Sequence, residues 1–253
     1  MSPDRHLLLP SRHLGRDVHL WTHGWYGAPV LVFPTASGMA HEWQLGGAIE
    51  ALRPLLAAGR IKLYCPESNA SETFLARTGT PAERVARHER YERFVVDELV
   101  PWIRQDCRTP DLPIATVGAS LGALYAARMT LARPETFRWS LCLSGRYSAA
   151  GFLPELDADP MGLVATMSEE RTEHVRRSTR LVLVVGQGPH EGACLPETLR
   201  LSDLLTARAV PHERDVWGRD VAHAWPWWRR QLVHHMTRRF GAPGDAWSQP
   251  ASH

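Results

Sequence analysis

The stretch Leu112–Leu131 constrains this chain more than any other. Ile114–Val117 is a short apolar run with β-branched residues, the pattern of a buried strand, and Pro113 opens it where a missing N–H is tolerated. Gly118-Ala119-Ser120-Leu121-Gly122 follows, and Leu121, Leu124, Tyr125, Arg128, Met129 and Leu131 then recur at helical spacing. Strand, sharp turn and helix in that order lift a serine hydroxyl above a sheet on a strained turn. Such a turn crowds strand against helix, so Gly118 and Gly122 leave room and Ala119, Ala123 and Ala126 stay small. The Leu121 N–H, at the helix start, points where an oxyanion would form. Ser120 is the candidate nucleophile.

The remaining chain reads as strands separated by helices. Asp17–Thr22, Val30–Phe33, Ile61–Cys65, Trp139–Leu143, Leu181–Val185 and His212–Trp217 read as strands. Helical stripes cover Glu42–Ala58, Pro81–Cys107, Leu195–Ala209 and Trp225–Phe240. This alternation predicts an α/β fold with a mostly parallel central sheet and helices on both faces. The segment between Gly145 and Arg180 is the least periodic and has room for at most a short cap. Residues 1–241 are expected to form one α/β domain, with 242–253 as a frayed tail.

The bulk chemistry excludes several classes. A net charge of +2 gives no grounds for a nucleic-acid or membrane partner, and Lys62 is the only lysine among cations spread along the chain. Four cysteines without C-x-x-C spacing read as free thiols, with Cys65 and Cys142 in buried runs. The first residues hold no signal-like apolar segment and no run approaches 18 residues, so a cytoplasmic site is expected.

A nucleophilic serine needs a base, an acid and donors for the oxyanion. In an open α/β sheet these come from loops beyond the carboxyl ends of the strands. Four loops qualify: Pro34–Gly38, the Ser120 turn, Gly186–Gly192 and Gly218–His223. His223 follows the last strand and comes after the serine in chain order, as this arrangement requires. It can take the Ser120 proton and return it to a leaving group near neutral pH. His190 and His212 compete with it, whereas His234 and His235 read as helix surface. Glu191 follows Leu181–Val185 and is the natural partner for the far imidazole nitrogen, with Asp215 and Asp220 as alternatives. The Ala36 N–H would be the second oxyanion donor beside Leu121. Trp43, Trp225, Trp227 and Trp228 are candidate pocket walls, with burial of the terminal helix as the other reading of Trp227 or Trp228.

The segments VLVFPTASGMAHEW, HERYERFVVDELVPWIR, GASLGALYAARMTLARPETF, LVLVVGQGPHE and WGRDVAHAWPWW together resemble the putative-esterase family of α/β hydrolases. That family includes S-formylglutathione hydrolases (esterase D), feruloyl and enterochelin esterases and mycobacterial mycolyltransferases. The resemblance implies Ser120 as nucleophile, His223 as base, Glu191 as acid, and Leu121 with Ala36 as oxyanion donors. It departs from the family in a Pro-Thr-Ala loop without the glycine many relatives carry, and in a Gly-Pro-His-Glu segment without aspartate.

The expected activity is hydrolysis of a small-molecule ester or thioester through an acyl-enzyme, with no metal and no organic cofactor. Acyl transfer on the same triad, or a non-catalytic scaffold binding a ligand or partner, are the alternatives. A metal site at His190, His212 and His223 has no supporting ligand spacing.

Overall fold

Among the described residues the chain forms eight strands of one sheet: β1 (Arg5–Ser11), β2 (Arg16–His23), β3 (Ala28–Phe33), β4 (Ile61–Pro66), β5 (Ile114–Ala119), β6 (Phe137–Leu143), β7 (Arg180–Val185) and β8 (His212–Val216). The computed structural model describes residues 4–156 and 159–241; the tail expected at 242–253 lies outside them. Strand order is β1-β2-β4-β3-β5-β6-β7-β8. β3 to β8 run parallel to one another, and β2 is antiparallel to both β1 and β4. β3, β4 and β5 are buried along their whole length, which is why their sequences are nearly continuous apolar runs.

β1 was not among the expected strands. Its Leu7-Leu8-Leu9 run shows no apolar–polar alternation in sequence, yet burial alternates along the strand. Pairing with β2, where Leu7 opposes Leu20 and Leu9 opposes Val18, turns Leu7 and Leu9 toward the core and leaves Leu8 exposed.

The expected helix Glu42–Ala58 is three short ones: α1 (Glu42–Leu45), α2 (Ala48–Ala51) and α3 (Arg53–Ala57). Gly47 at φ 72° turns the chain between the first two, and Pro54 starts the third. The expected helix Pro81–Cys107 is α4 (Pro81–Arg93) and α5 (Val100–Asp106), joined through a π-helical turn at Phe94–Leu99. Thr80 and Glu83 close a capping box at the start of α4. Then come α6 (Leu121–Ala132), α7 (Pro160–Thr166), α8 (Glu169–Ser178), α9 (Cys194–Ala207) and α10 (Trp225–Phe240).

Helices cover both faces, each over its own core. On one face Leu31, Phe33 and Tyr64 pack with Phe94, Ile103, Leu124 and Leu201; on the other Val30, Val32 and Leu141 pack with Trp43, Ile49, Trp228 and Met236. In the β6–β7 connection, Leu153, Leu156, Met161 and Val164 are buried in the first core. Arg146 and Phe152, near its beginning, lie beside Ser120 at the carboxyl ends of the strands. Among the described residues all four cysteines are free, and no helix is long and apolar enough to cross a membrane.

Candidate active site

The β5–α6 turn holds Ser120 at φ 55°, ψ −121°, a conformation that costs on the order of 1–3 kcal/mol for a residue with a side chain. The surroundings enforce it. The Ser120 N–H donates to Leu143 O at 2.9 Å, and Ser120 O accepts from Ala123 N at 3.1 Å and Arg146 N at 3.2 Å. A Cβ on Gly118 would sit 2.1 Å from Gly122 O, and one on Gly122 would sit 2.5 Å from Phe33 O and Pro34 O. Both glycines are therefore required by close backbone approach, the second by the neighbouring β3 loop.

Two loops meet over this turn. The Gly188 N–H donates to Val221 O at 2.9 Å, His223 N–H donates to Pro189 O at 3.0 Å, and Gln187 N–H donates to Gly218 O at 3.2 Å. Gly186 and Gly188 have no room for a side chain against Val221 O. This backbone zipper brings the β7 and β8 loops together. It places His223 Nε2 3.0 Å from Ser120 Oγ and His223 Nδ1 3.5 Å from Glu191 Oε2. Glu191 is 1% exposed.

A buried carboxylate needs donors. Glu191 Oε1 accepts from Ser144 Oγ at 2.5 Å and from the Gly186 N–H at 3.4 Å. Ser144 Oγ in turn accepts from Trp228 Nε1 at 3.0 Å. The Trp228 ring stands edge-on to the His223 ring, with centroids 4.8 Å apart. Sequence reasoning did not single out Ser144; its one signal is a hydroxyl residue closing β6, where the other strand ends supply site residues.

The other candidates lie elsewhere. Asp215 Oδ2 accepts from Trp217 Nε1 at 2.8 Å and pairs with His235 Nε2 at 2.9 Å, on the α10 side of β8. His235 is buried, not on the helix surface as expected, and burial pushes its pKa down despite the Asp215 partner. Asp220 is exposed. His212 is held by Ser202 Oγ and Val210 O, each at 2.9 Å. His190 is exposed and lines the mouth of the cavity beside Ser120.

That cavity has a volume of about 160 Å³ and is lined by Ala36, Leu75, Ser120, Leu121, Arg146, Phe152, His190, Ala193, Cys194 and His223. Ala36 and Leu121 thus face it together. The Ala36 loop is shaped by Glu42, which sequence reasoning also missed. Its two carboxylate oxygens accept from Thr35 N at 2.7 Å and Thr35 Oγ1 at 2.5 Å. Arg146 donates from Nε to Glu197 at 2.8 Å, and its guanidinium lies 4.7 Å from the Phe152 ring centroid.

Trp43 and Trp225 are not walls of this cavity, which corrects the expectation. Trp43 is 2% exposed within the second core. Trp225 packs edge-on against it at 5.8 Å and over Gly46, where a Cβ would sit 2.3 Å from the indole. Their indoles fasten α10 to α1.

A mostly parallel sheet carrying a serine on a strained strand-to-helix turn, with an imidazole on its hydroxyl, defines a serine hydrolase of the α/β-hydrolase fold. The chain belongs to the family described as Putative esterase, whose sequence profile matches residues 62–238, more than half of it. It is, at that level, a serine carboxylic-ester hydrolase. Solved structures share the fold. A ferulic acid esterase is 18% identical, with a TM-score of 0.71 over 92% of this chain and 95% of that one. MPT51 of Mycobacterium tuberculosis is 16% identical, with a TM-score of 0.73 over 96% and 99%. An S-formylglutathione hydrolase of Staphylococcus aureus is 14% identical, with a TM-score of 0.71 over 93% and 95%. No curated protein matches the sequence.

Proposed function

We propose that the chain hydrolyses small carboxylic esters or thioesters through an acyl-enzyme on Ser120, with His223 as general base and acid and Glu191 as the carboxylate behind it. The observation that carries this reading is the contact of His223 Nε2 with Ser120 Oγ at 3.0 Å, while the far ring nitrogen faces the buried Glu191. Ser120 Oγ attacks the acyl carbonyl and its proton passes to His223 Nε2. The Leu121 and Ala36 N–H groups receive the oxyanion, a position supported by their shared cavity. His223 protonates the leaving alcohol or thiol, then deprotonates the water that releases the acid. Glu191 holds the imidazole tautomer and stabilises the imidazolium.

Ser144 and Trp228 are positioning residues in this reading, acting through Glu191. The cavity is small beside the roughly 300–1,000 Å³ usual for ligand sites, which supports a short acyl group. The test is labelling with a fluorophosphonate followed by peptide mapping. The expected result is one adduct, on Ser120; an adduct on another residue, or none, contradicts the proposal.

A further inference from the structure

Behind the serine-facing edge of His223, a thiol that a triad alone does not explain joins the carboxylate. Cys194 Sγ is 3.7 Å from His223 Nδ1, and Glu191 Oε2 is 3.5 Å from the same nitrogen. The three atoms all lie within 4.8 Å of one another. Glu191 Oε2 is buried and has no hydrogen-bond partner, although Oε1 of the same carboxylate has two. Imidazole nitrogen, thiol sulfur and carboxylate oxygen are the zinc donor set. Zinc distances of about 2.0–2.1 Å to nitrogen or oxygen and 2.3 Å to sulfur, at tetrahedral angles, set ligand atoms roughly 3.3–3.6 Å apart. The two distances to Nδ1 are already within reach of that geometry.

We infer that Glu191, Cys194 and His223 form an inhibitory site for a borderline-soft divalent cation of the zinc class. The cavity that exposes Ser120 is also lined by Cys194 and His223, so an ion entering it meets two of the three donor residues, with Glu191 buried behind them. A carboxylate and a thiolate neutralise the dication, and the fourth position stays open to water or substrate. The Cys194 thiol is free and buried, and it loses its proton when it takes up the metal. Binding then releases the thiol proton to solvent. The metal takes the Nδ1 lone pair, and the Nδ1 proton moves to Nε2. With Nε2 protonated the ring can donate to Ser120 but no longer accept from it, so deprotonation of the nucleophile stops. The second acidic–histidine cluster, Asp215 with His234 and His235, lacks this character because Asp215 Oδ2 already carries two partners.

The inhibition rests on His223 acting as the base; the binding does not, so the two are measured separately. Cd²⁺ is titrated into the full chain while the sulfur-to-metal charge-transfer absorption is followed, and Zn²⁺ is titrated against ester turnover, each variant referred to its own metal-free rate. The expected result is one Cd²⁺ per chain with a thiolate band, and reversal of Zn²⁺ inhibition by a chelator. Cys194→Ala, checked for folding by circular dichroism, should abolish the band and weaken Zn²⁺ inhibition by at least about 100-fold, more than loss of an outer partner costs a metal site. Ser120→Ala should bind Cd²⁺ unchanged, because the serine is not a ligand. No thiolate band in the wild-type chain overturns the site, and so does a band or an inhibition that survives Cys194→Ala. A band without inhibition overturns the inhibitory role and points away from His223 as base.

Discussion

Ser144 Oγ lies 2.5 Å from Glu191 Oε1, a hydrogen bond between two buried side chains that ties the end of β6 to the loop after β7. Because Trp228 Nε1 donates to the same hydroxyl, Ser144 must point its own proton at the carboxylate. The carboxylate is thereby fixed in place before it meets His223. Ser144→Ala removes that support and leaves the Trp228 N–H without its acceptor, at a cost of about 1–3 kcal/mol in stability. Turnover should fall about tenfold with KM unchanged, since the substrate touches neither residue. A KM change with kcat intact would assign Ser144 to substrate binding instead.

Glu191→Gln should lower kcat by about 10²–10⁴, because a neutral amide no longer stabilises the imidazolium. Asp220→Asn and Asp215→Asn should stay near wild type: Asp220 is exposed, and Asp215 is engaged with Trp217 and His235. Steady-state kinetics of the three variants decide the acid. A nearly inactive Asp220→Asn beside an active Glu191→Gln would move it to Asp220.

The donor proposed at Ala36 is a backbone group, so Ala36→Ser should be mild while Ala36→Pro deletes the N–H. Losing one oxyanion donor costs roughly 10²–10³ in kcat. Circular dichroism must show that the Ala36→Pro chain is folded. Full kcat in a folded Ala36→Pro chain would place the donor elsewhere between Thr35 and Gly38.

The small cavity predicts a limit on acyl length. Across p-nitrophenyl esters, kcat/KM should be highest for acetate to butyrate and fall at least about tenfold for decanoate, since a pocket misfit costs on the order of 1–3 kcal/mol. A rate that rises steadily with chain length would contradict this.

Acid should weaken the fold through Glu92. Burial raises its pKa, but hydrogen bonds and charge from His88 and Arg128 outweigh burial and hold the carboxyl down to about 2. A carboxyl depressed in the folded state contributes stability above its unfolded value near 4.5, and that contribution is lost as pH falls toward 2. Urea denaturation of the wild type should show this loss. Glu92→Gln should have a shallower slope across the same window. At neutral pH it should be less stable by about 3–5 kcal/mol, because buried Arg128 loses its partner. Equal slopes in the two chains would refute the assignment.

What the sequence made legible is local. Ser120 could be read because its strand, glycines and helix are contiguous and each obeys its own periodicity. The convergence of His223 and Glu191 on Ser120 could be read because a parallel sheet delivers its loops to one end, so position after a strand is informative. The supports were not legible because they arise from tertiary approach. Ser144 meets Glu191 across 47 positions and Trp228 across 84. Trp43 and Trp225 were expected as pocket walls, but indole direction depends on how α1 crosses α10, which no periodicity encodes. β1 was hidden for the same reason: only pairing with β2 gives Leu7-Leu8-Leu9 an inside and an outside.

The central claim is that the Ser120 hydroxyl is the nucleophile. Ester turnover by Ser120→Ala, in a chain shown to be folded by circular dichroism and thermal melting, tests it most directly. Loss of a triad nucleophile typically costs on the order of 10⁶ in kcat, so the account predicts turnover near background with the fold intact. Retention of more than about a tenth of wild-type kcat would contradict it.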